Sequence, residues 1–166
     1  MNKIELIKTE KDGLKIKSDI QRFAKEGWES ISEEDIQRLK WYGLFLRNPT
    51  PGFFMLRVRI PNGFSFSHQV RVLACIAEIY GNGVIDITTR QQVQLRHLKI
   101  ENIPQIFNQL EEVGLTTSQT GMDNVRNIMG CPVSGLSPKE KVDAYSLVKT
   151  LNEHILDNPE FSNLPR

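Results

Sequence analysis

Asp86-Ile87-Thr88-Thr89-Arg90-Gln91-Gln92-Val93-Gln94-Leu95-Arg96 is the stretch from which the rest of the chain can be ordered. Side chains along a strand point alternately to its two faces, which separates this stretch into an apolar and a polar set. The apolar set is Ile85, Ile87, Val93 and Leu95, and the polar set is Asp86, Thr88, Arg90, Gln92, Gln94 and Arg96. A solvated outer face of an antiparallel strand has the same pattern. A row of hydroxyl, guanidinium and carboxamide donors also suits a multiply charged anion.

Composition narrows the class of protein. The chain has 166 residues, 39% of them hydrophobic and 25% charged, which is typical of one soluble globular domain with or without an extension. A net charge of +1 gives no signal for nucleic-acid binding through bulk electrostatics. The sequence shows neither a signal peptide nor an apolar run of about 18 residues, so we expect a cytoplasmic protein that makes no contact with a membrane.

The two cysteines give no metal-binding pattern. Cys75 and Cys131 are too few and too far apart for a disulfide framework or a cysteine-rich metal site, and we predict no metal ligand in this chain. Cys75 falls within an apolar helical pattern, so we expect it to be a small core residue.

The order of predicted elements around the opening stretch indicates the fold class. A strand over 53–60 is followed by a helix that Ser65 or Ser67 can cap and that ends at Gly81-Asn82-Gly83. Two strands that bend near Arg90-Gln91-Gln92, a helix that opens at Pro104 and an edge strand over 115–119 come next. Strand, helix, strand, strand, helix, strand is the ferredoxin-like βαββαβ arrangement of the α+β class. Helices would cover one face of its sheet, and the polar donors would lie on the other.

The flanking regions have weaker patterns. Residues 1–30 are charged and weakly periodic, so we expect an extended arm there. Ser32-Glu33-Glu34-Asp35 resembles a capping box and predicts a helix that ends at Gly43. Residues 120–132 are rich in Gly and Asn and are predicted to be a binding or turning loop, and Ser137-Pro138-Lys139-Glu140 predicts the start of a helix. The divisions follow as 1–50, 51–119 and 120–166.

Arginines on both predicted strands indicate a possible anion site. Arg57 and Arg59 share one face of the strand over 53–60, and they could converge with Arg90 and Arg96. Arg126 could reach the same place from the following loop. A surface salt bridge is the alternative for each arginine taken alone. Arginine pairs well with carboxylates and oxyanions, so five arginines together favour a polycarboxylate or a small oxyanion.

Several long motifs resemble the siroheme and iron-sulfur nitrite and sulfite reductases. They are Lys40-Trp41-Tyr42-Gly43-Leu44-Phe45, Phe54-Met55-Leu56-Arg57-Val58-Arg59-Ile60-Pro61-Asn62-Gly63, Asp86-Ile87-Thr88-Thr89-Arg90-Gln91 and Gly121-Met122-Asp123-Asn124-Val125-Arg126-Asn127. The last of these is more similar to the nitrite-reducing branch. The resemblance implies siroheme and [4Fe-4S] cofactors, ferredoxin as the electron donor, and six-electron reduction of nitrite to ammonia.

The resemblance also implies residue roles. Arg57 and Arg126 match the two arginines that bind and orient the substrate. Thr88, Arg90, Gln92, Gln94 and Arg96, together with Asn124, match siroheme-binding positions. The divisions then become an N-terminal helical arm over 1–50, a nitrite/sulfite reductase ferredoxin-like half-domain over 51–119, and the beginning of the siroheme/[4Fe-4S] domain over 120–166.

Two features of the family pattern are missing. Its cluster is held by Cys-x5-Cys and Cys-x3-Cys, which nothing in this sequence matches. The chain ends at Leu164-Pro165-Arg166, just before the substrate-binding Lys-x-Asn of nitrite reductases or Lys-x-Lys of sulfite reductases would follow. We therefore expect an N-terminal part that lacks its C-terminal half and is inactive alone. A sulfite reductase fragment and a non-catalytic tetrapyrrole- or anion-binding module are the alternatives.

Overall fold

A computed structural model describes residues 2–165 of the chain. Six α-helices and four strands form its framework, joined by short 3-10 turns. The helices are α1 (Lys3–Glu10), α2 (Ile20–Glu26), α3 (Glu33–Leu39), α4 (Ser67–Tyr80), α5 (Ile103–Glu112) and α6 (Tyr145–Ile155). The strands are β1 (Leu44–Leu46), β2 (Phe54–Val58), β3 (Ile85–Ile87) and β4 (Val93–Leu98). The 3-10 segments are Gly13–Asp19, Trp28–Ser30, Lys40–Tyr42, Pro61–Gly63, Ile100–Asn102 and Pro159–Phe161.

The four strands form one antiparallel sheet in the order β1-β2-β4-β3. Leu56 of β2 lies opposite Leu44 of β1 and Leu95 of β4, and Leu95 in turn lies opposite Ile85. Side chains opposite one another project from the same face, so this register builds an apolar row across all four strands. The helices α4 and α5 pack together, and α4 contacts β3 and β4 on that side of the sheet.

The core lies between the apolar face of the sheet and the helices. Leu44, Phe54, Leu56 and Leu95 are fully buried there, together with Ile106 of α5. Ile87 carries the same pattern as Ile85 but lies at the outer edge of β3, where it is 82% exposed. The alternation of side chains therefore identifies the apolar face of β3 correctly, but Ile87, the last residue of β3, extends past the helices that bury the rest of that face.

The predicted α+β, ferredoxin-like fold class is confirmed, with one difference at an edge of the sheet. The expected closing strand over 115–119 is reduced to a single bridge between Arg59 and Thr116. The three-residue strand β1 occupies the rest of that edge. Regular pairing stops because the carbonyl oxygens of Ser118 and Gln119 accept hydrogen bonds from the Arg59 guanidinium and Gln119 has a φ of 53°.

Three other predictions about local structure are wrong. The segment expected to be an extended arm is mostly helical, because Ile16, Ile20 and Phe23 follow helical spacing and are buried in the core. Helix α6 begins at Tyr145 rather than near Ser137, because the Glu140 carboxylate instead accepts hydrogen bonds from Ser134 and Gly135. Cys75 is exposed on α4.

The prediction of a helix that opens at Ser32 and is closed off at Gly43 is confirmed. The helix opened by Ser32 does begin there, with the Ser32 hydroxyl accepting from the Asp35 amide at 3.2 Å, and the 3-10 turn that follows ends at Gly43 with a φ of 70°. Within residues 2–165, no helix is long and apolar enough to span a membrane.

Candidate functional site

The polar face of the sheet is organised by the β2–β4–β3 register. Arg57 lies opposite Gln94, and Gln94 lies opposite Asp86, so these three side chains form a row across three strands. The β3–β4 hairpin then turns through residues 88–92, with Gln91 in the left-handed region at a φ of 58°. The sequence predicted this bend near Arg90-Gln91-Gln92, and the turn places Arg90 beyond the ends of β3 and β4.

Arg57 is held at the middle of the polar face by neighbours from two other segments. Its guanidinium lies over the Phe45 ring at 4.9 Å and donates to the Thr120 carbonyl oxygen at 3.1 Å. Its Nε is buried and has no hydrogen-bond partner within residues 2–165. A planar cation with an unused donor is suited to binding an oxyanion.

Arg57, Arg90 and Arg126 form a cluster of like charges, which we call the arginine cluster. The pKa of Arg57 is lowered by burial first and then by the positive charges of Arg126 and Arg90. Arg90 and Arg126 are exposed, and none of the three is ion-paired with a carboxylate in the part of the chain that the structure describes. Unneutralised charges at close range are an electrostatic cost that an anion would remove.

Gln92 adds an unused donor next to this cluster. Its side chain is 1% exposed, and its Nε2 has no hydrogen-bond partner within residues 2–165. Thr88 shapes the turn that carries it, because the Thr88 hydroxyl oxygen accepts from the amides of Arg90 at 3.3 Å and Gln92 at 3.1 Å. A buried amide left without a partner is costly, so Gln92 marks a place where a ligand acceptor would be stabilised.

Three other predicted site residues are already engaged within the protein. Arg96 is ion-paired with Asp86 through its Nε and donates to the Gln94 side chain at 3.3 Å. Asn124 is buried, donates to the Gly121 carbonyl at 2.6 Å and accepts from the Ser162 hydroxyl at 3.0 Å. The structure thus brings Arg57, Arg90 and Arg126 together, whereas Arg96 and Asn124 contribute to the surrounding framework.

Arg59 does not join the arginine cluster. It is 1% exposed and donates five hydrogen bonds of 2.8–3.3 Å, four to the backbone carbonyls of Ser118, Gln119, Val125 and Arg126 and one to the Asn152 side chain. Burial lowers the pKa of Arg59 to about 10, and the negative charge of Asp157 offsets part of this lowering. Arg59 therefore holds the segment that carries Arg126 against β2.

Comparison with known proteins places this architecture in a family. The family model described as nitrite/sulfite reductase ferredoxin-like half domain matches residues 47–113, which contain the whole βαββα unit. The model described as nitrite and sulphite reductase 4Fe-4S domain matches residues 121–166, which contain Arg126. The chain belongs to the nitrite and sulfite reductase family.

Relatives with high identity are named as nitrite reductases. The ferredoxin–nitrite reductase of Leptolyngbya laminosa is 51% identical over 100% of this chain and 34% of its own length. The corresponding chloroplastic protein of Arabidopsis thaliana is 41% identical over 100% of this chain and 31% of its own length. The structure of the Mycobacterium tuberculosis NirA protein superposes with a TM-score of 0.93 at 29% identity, over 99% of this chain and 34% of that one. The chain thus spans about a third of the length of these relatives.

The donors present fit one of the two cofactors that the nitrite and sulfite reductase family implies. The arginine cluster and the buried Gln92 amide suit the carboxylates of a siroheme. A [4Fe-4S] cluster needs four thiolates, and this sequence has two cysteines, both exposed. Within residues 2–165, no group of three or more His, Cys, Asp or Glu side chains is placed to hold a metal ion. The cluster therefore does not fit the residues of this chain.

Sequence reasoning missed two contributors to the site. Phe45, beneath Arg57, lies on β1, and three residues are too short for a periodic signal. Asn127 donates to the backbone carbonyls of Ile60 and Arg90, and its only signal in the sequence was its position next to Arg126. Arg166, the last residue of the Leu-Pro-Arg motif, lies outside the described residues.

Proposed function

We propose that this chain supplies one wall of the siroheme-and-nitrite site of a ferredoxin-dependent nitrite reductase. The observation that carries the proposal is the half-buried Arg57 guanidinium, whose Nε has no partner within residues 2–165 and which lies within the electrostatic reach of Arg90 and Arg126, together with the buried Gln92 Nε2, which also has no partner there. Positive charge and unused donors on one face of a sheet are what a polyanionic ligand stabilises.

Arg90 and Gln92 are the residues that we assign to siroheme carboxylates, with Thr88 shaping their turn. Gln94, Arg96 and Asn124 are assigned to the same ligand through their place in the framework, since each is already hydrogen-bonded within the protein. When bound, siroheme supplies the redox-active iron at which a small oxyanion is reduced. The protein contributes binding and orientation.

Arg57 and Arg126 are assigned to the substrate. Nitrite is a small anion with two oxygen acceptors, and a guanidinium offers paired donors at matching spacing. Arg57 is fixed by Phe45 and the Thr120 carbonyl, so its remaining donors are oriented before any ligand arrives. Preoriented charge of this kind stabilises negative charge as it develops on a reacting oxygen.

Nitrite is favoured over sulfite because the relatives described above are named as ferredoxin–nitrite reductases. Ferredoxin as electron donor and a cytoplasmic location are part of the proposal. So are the domain divisions 51–119 and 120–166, which the ranges matched by the two family models support. All four cluster thiolates and the remaining substrate ligands would come from residues beyond this chain, so the chain alone is expected to oxidise no reduced methyl viologen with nitrite.

An absorbance titration of the full 166-residue chain with siroheme tests the proposal. We expect Arg90→Ala to weaken siroheme affinity by about tenfold, because a charge-assisted hydrogen bond is lost. Arg71→Ala is the matched control, since Arg71 is equally exposed but lies on α4, and its affinity should equal that of the wild type. Equal affinities for all three proteins would refute the assignment.

A further inference from the structure

Three chain segments meet in a polar junction behind the arginine cluster. They are the turn that follows β2 (60–63), the β3–β4 turn (88–92) and the loop that follows Arg126 (127–130). The backbone amide of Asn62 donates to the Ile128 carbonyl at 2.9 Å. The side-chain amide of Gln91 forms two hydrogen bonds with the backbone of Gly130, at 3.1 and 3.3 Å. A β-carbon at Gly130 would collide with the Asn62 side chain, so the segments pack closely.

Asn127 is the side chain that joins all three segments. It is 7% exposed, and its Nδ2 donates to the Ile60 carbonyl at 2.7 Å and to the Arg90 carbonyl at 2.9 Å. The orientation of the amide is fixed, since a flipped amide would set its oxygen against two carbonyl oxygens. One buried amide thus ties the residue after Arg126 to Arg90 itself.

We propose that Asn127 is a positioning residue that holds Arg90 and Arg126 at a fixed separation, so that the arginine cluster is assembled before an anion binds. This inference rests on the proposed function. Like charges repel, so the backbones that carry them must be held in place by other contacts. Arg59 holds the Arg126 carbonyl at 2.9 Å, and Asn127 holds that of Arg90. Preorganisation removes an ordering cost that the ligand would otherwise meet.

Hydrogen–deuterium exchange tests the junction without any ligand. The amides of Arg90, Gln91 and Gln92 are protected by hydrogen bonds to Thr88 inside the turn. In Asn127→Ala, we expect exchange over residues 88–92 to be about tenfold faster, because the turn loses its anchor. Asn158→Ala is the matched control, because its Nδ2 also donates to a carbonyl, that of His154, but away from this junction. Unchanged exchange in Asn127→Ala would overturn the proposal.

A double-mutant cycle with siroheme as the probe tests the route of the effect. Asn127→Ala should weaken siroheme affinity by about tenfold in the wild-type background and by only about twofold in the Arg90→Ala background, since it acts through Arg90. An equal loss in both backgrounds would indicate general destabilisation and would overturn the inference. If the wild type binds no siroheme, the proposed function fails, and the exchange experiment still decides whether Asn127 positions the two arginines.

Discussion

Arg57 and Arg59 lie two residues apart on the same face of the sheet, yet their surroundings differ completely. The Arg57 guanidinium donates one hydrogen bond within residues 2–165, and it has an aromatic ring beneath it and two other arginines nearby. Arg59 is 1% exposed and has five hydrogen bonds, all to neutral oxygens. The guanidinium of Arg57 keeps unused donors, whereas the guanidinium of Arg59 uses its donors in hydrogen bonds that hold the fold together.

The difference arises from what covers the sheet at each position. Residues 118–126 cross the face above Arg59, and their carbonyl oxygens surround it. To the Arg57 guanidinium the same segment offers a single acceptor within residues 2–165, the Thr120 carbonyl oxygen. Arg59 thus holds a loop in place, whereas the guanidinium of Arg57 keeps donors that could serve the proposed ligand.

The largest expected effect is the loss of stability on truncating Arg59. Arg59→Ala leaves four carbonyl oxygens without their donor, two of them in buried and two in part-buried hydrogen bonds, so we expect the free energy of unfolding to fall by about 3 kcal/mol. Arg59→Lys keeps the charge but has fewer donors in another geometry, so its free energy of unfolding should lie between those of the wild type and Arg59→Ala. Urea unfolding followed by circular dichroism measures both.

Arg71→Ala controls for the loss of an exposed arginine and should change the free energy of unfolding by less than about 0.5 kcal/mol. If Arg59→Ala is as stable as this control, the hydrogen bonds of Arg59 do not hold the loop, and the contrast with Arg57 is removed.

Removing the buried charge of Lys8, which is paired with two carboxylates, is expected to have an intermediate effect on the free energy of unfolding. The side chain of Lys8 is 6% exposed, and its Nζ lies 2.7 Å from Asp123 and 2.8 Å from both Glu5 and the Leu164 carbonyl. Burial by itself would lower the pKa of Lys8, but Asp123 and Glu5 more than offset it, and the net pKa is raised above 10.5. We expect Lys8→Met to cost about 2 kcal/mol near neutral pH.

The raised pKa of Lys8 sets the pH dependence of that cost. A cation whose pKa is higher in the folded state contributes fully below its unfolded pKa and loses its contribution as pH rises through the folded value. The difference between wild type and Lys8→Met should therefore be constant up to about pH 10 and shrink above it. A difference that grows with pH would contradict this pairing. Exposed Lys149, paired with Glu153 at 3.9 Å, offers a control in Lys149→Met.

The sequence predicted the faces of the strands better than it predicted what lies above them. Alternation placed Leu95 in the core and Gln92 and Arg57 on the polar side, because the direction of a strand side chain is a local property. Arg59 has the same alternation as Arg57. Its burial depends on a segment about 60 residues later in the chain, and no local pattern records that contact.

The motif resemblance identified the family and suggested residue roles that stay predictions, whereas the contacts that hold the site are visible only in the structure. Asn127 illustrates the limit, since its role depends on reaching carbonyls of Ile60 and Arg90, which are distant in sequence. The early helices were missed for a related reason. They owe their stability to burial of Ile16 and Phe23 in the core rather than to a strong helical pattern of their own.

The smallest expected effect concerns repulsion within the arginine cluster. Arg57→Gln removes one of three like charges but also the cation–π contact with Phe45, so its stability in dilute buffer should stay within about 0.5 kcal/mol of the wild type.

Salt separates the charge repulsion from the cation–π contact, because screening weakens the repulsion between the arginines. Raising sodium chloride should therefore stabilise the wild type more than Arg57→Gln, with Arg90→Gln behaving like the latter and Arg71→Gln like the former. Equal salt responses in all four proteins would mean that the three guanidinium groups lie near one another without being coupled.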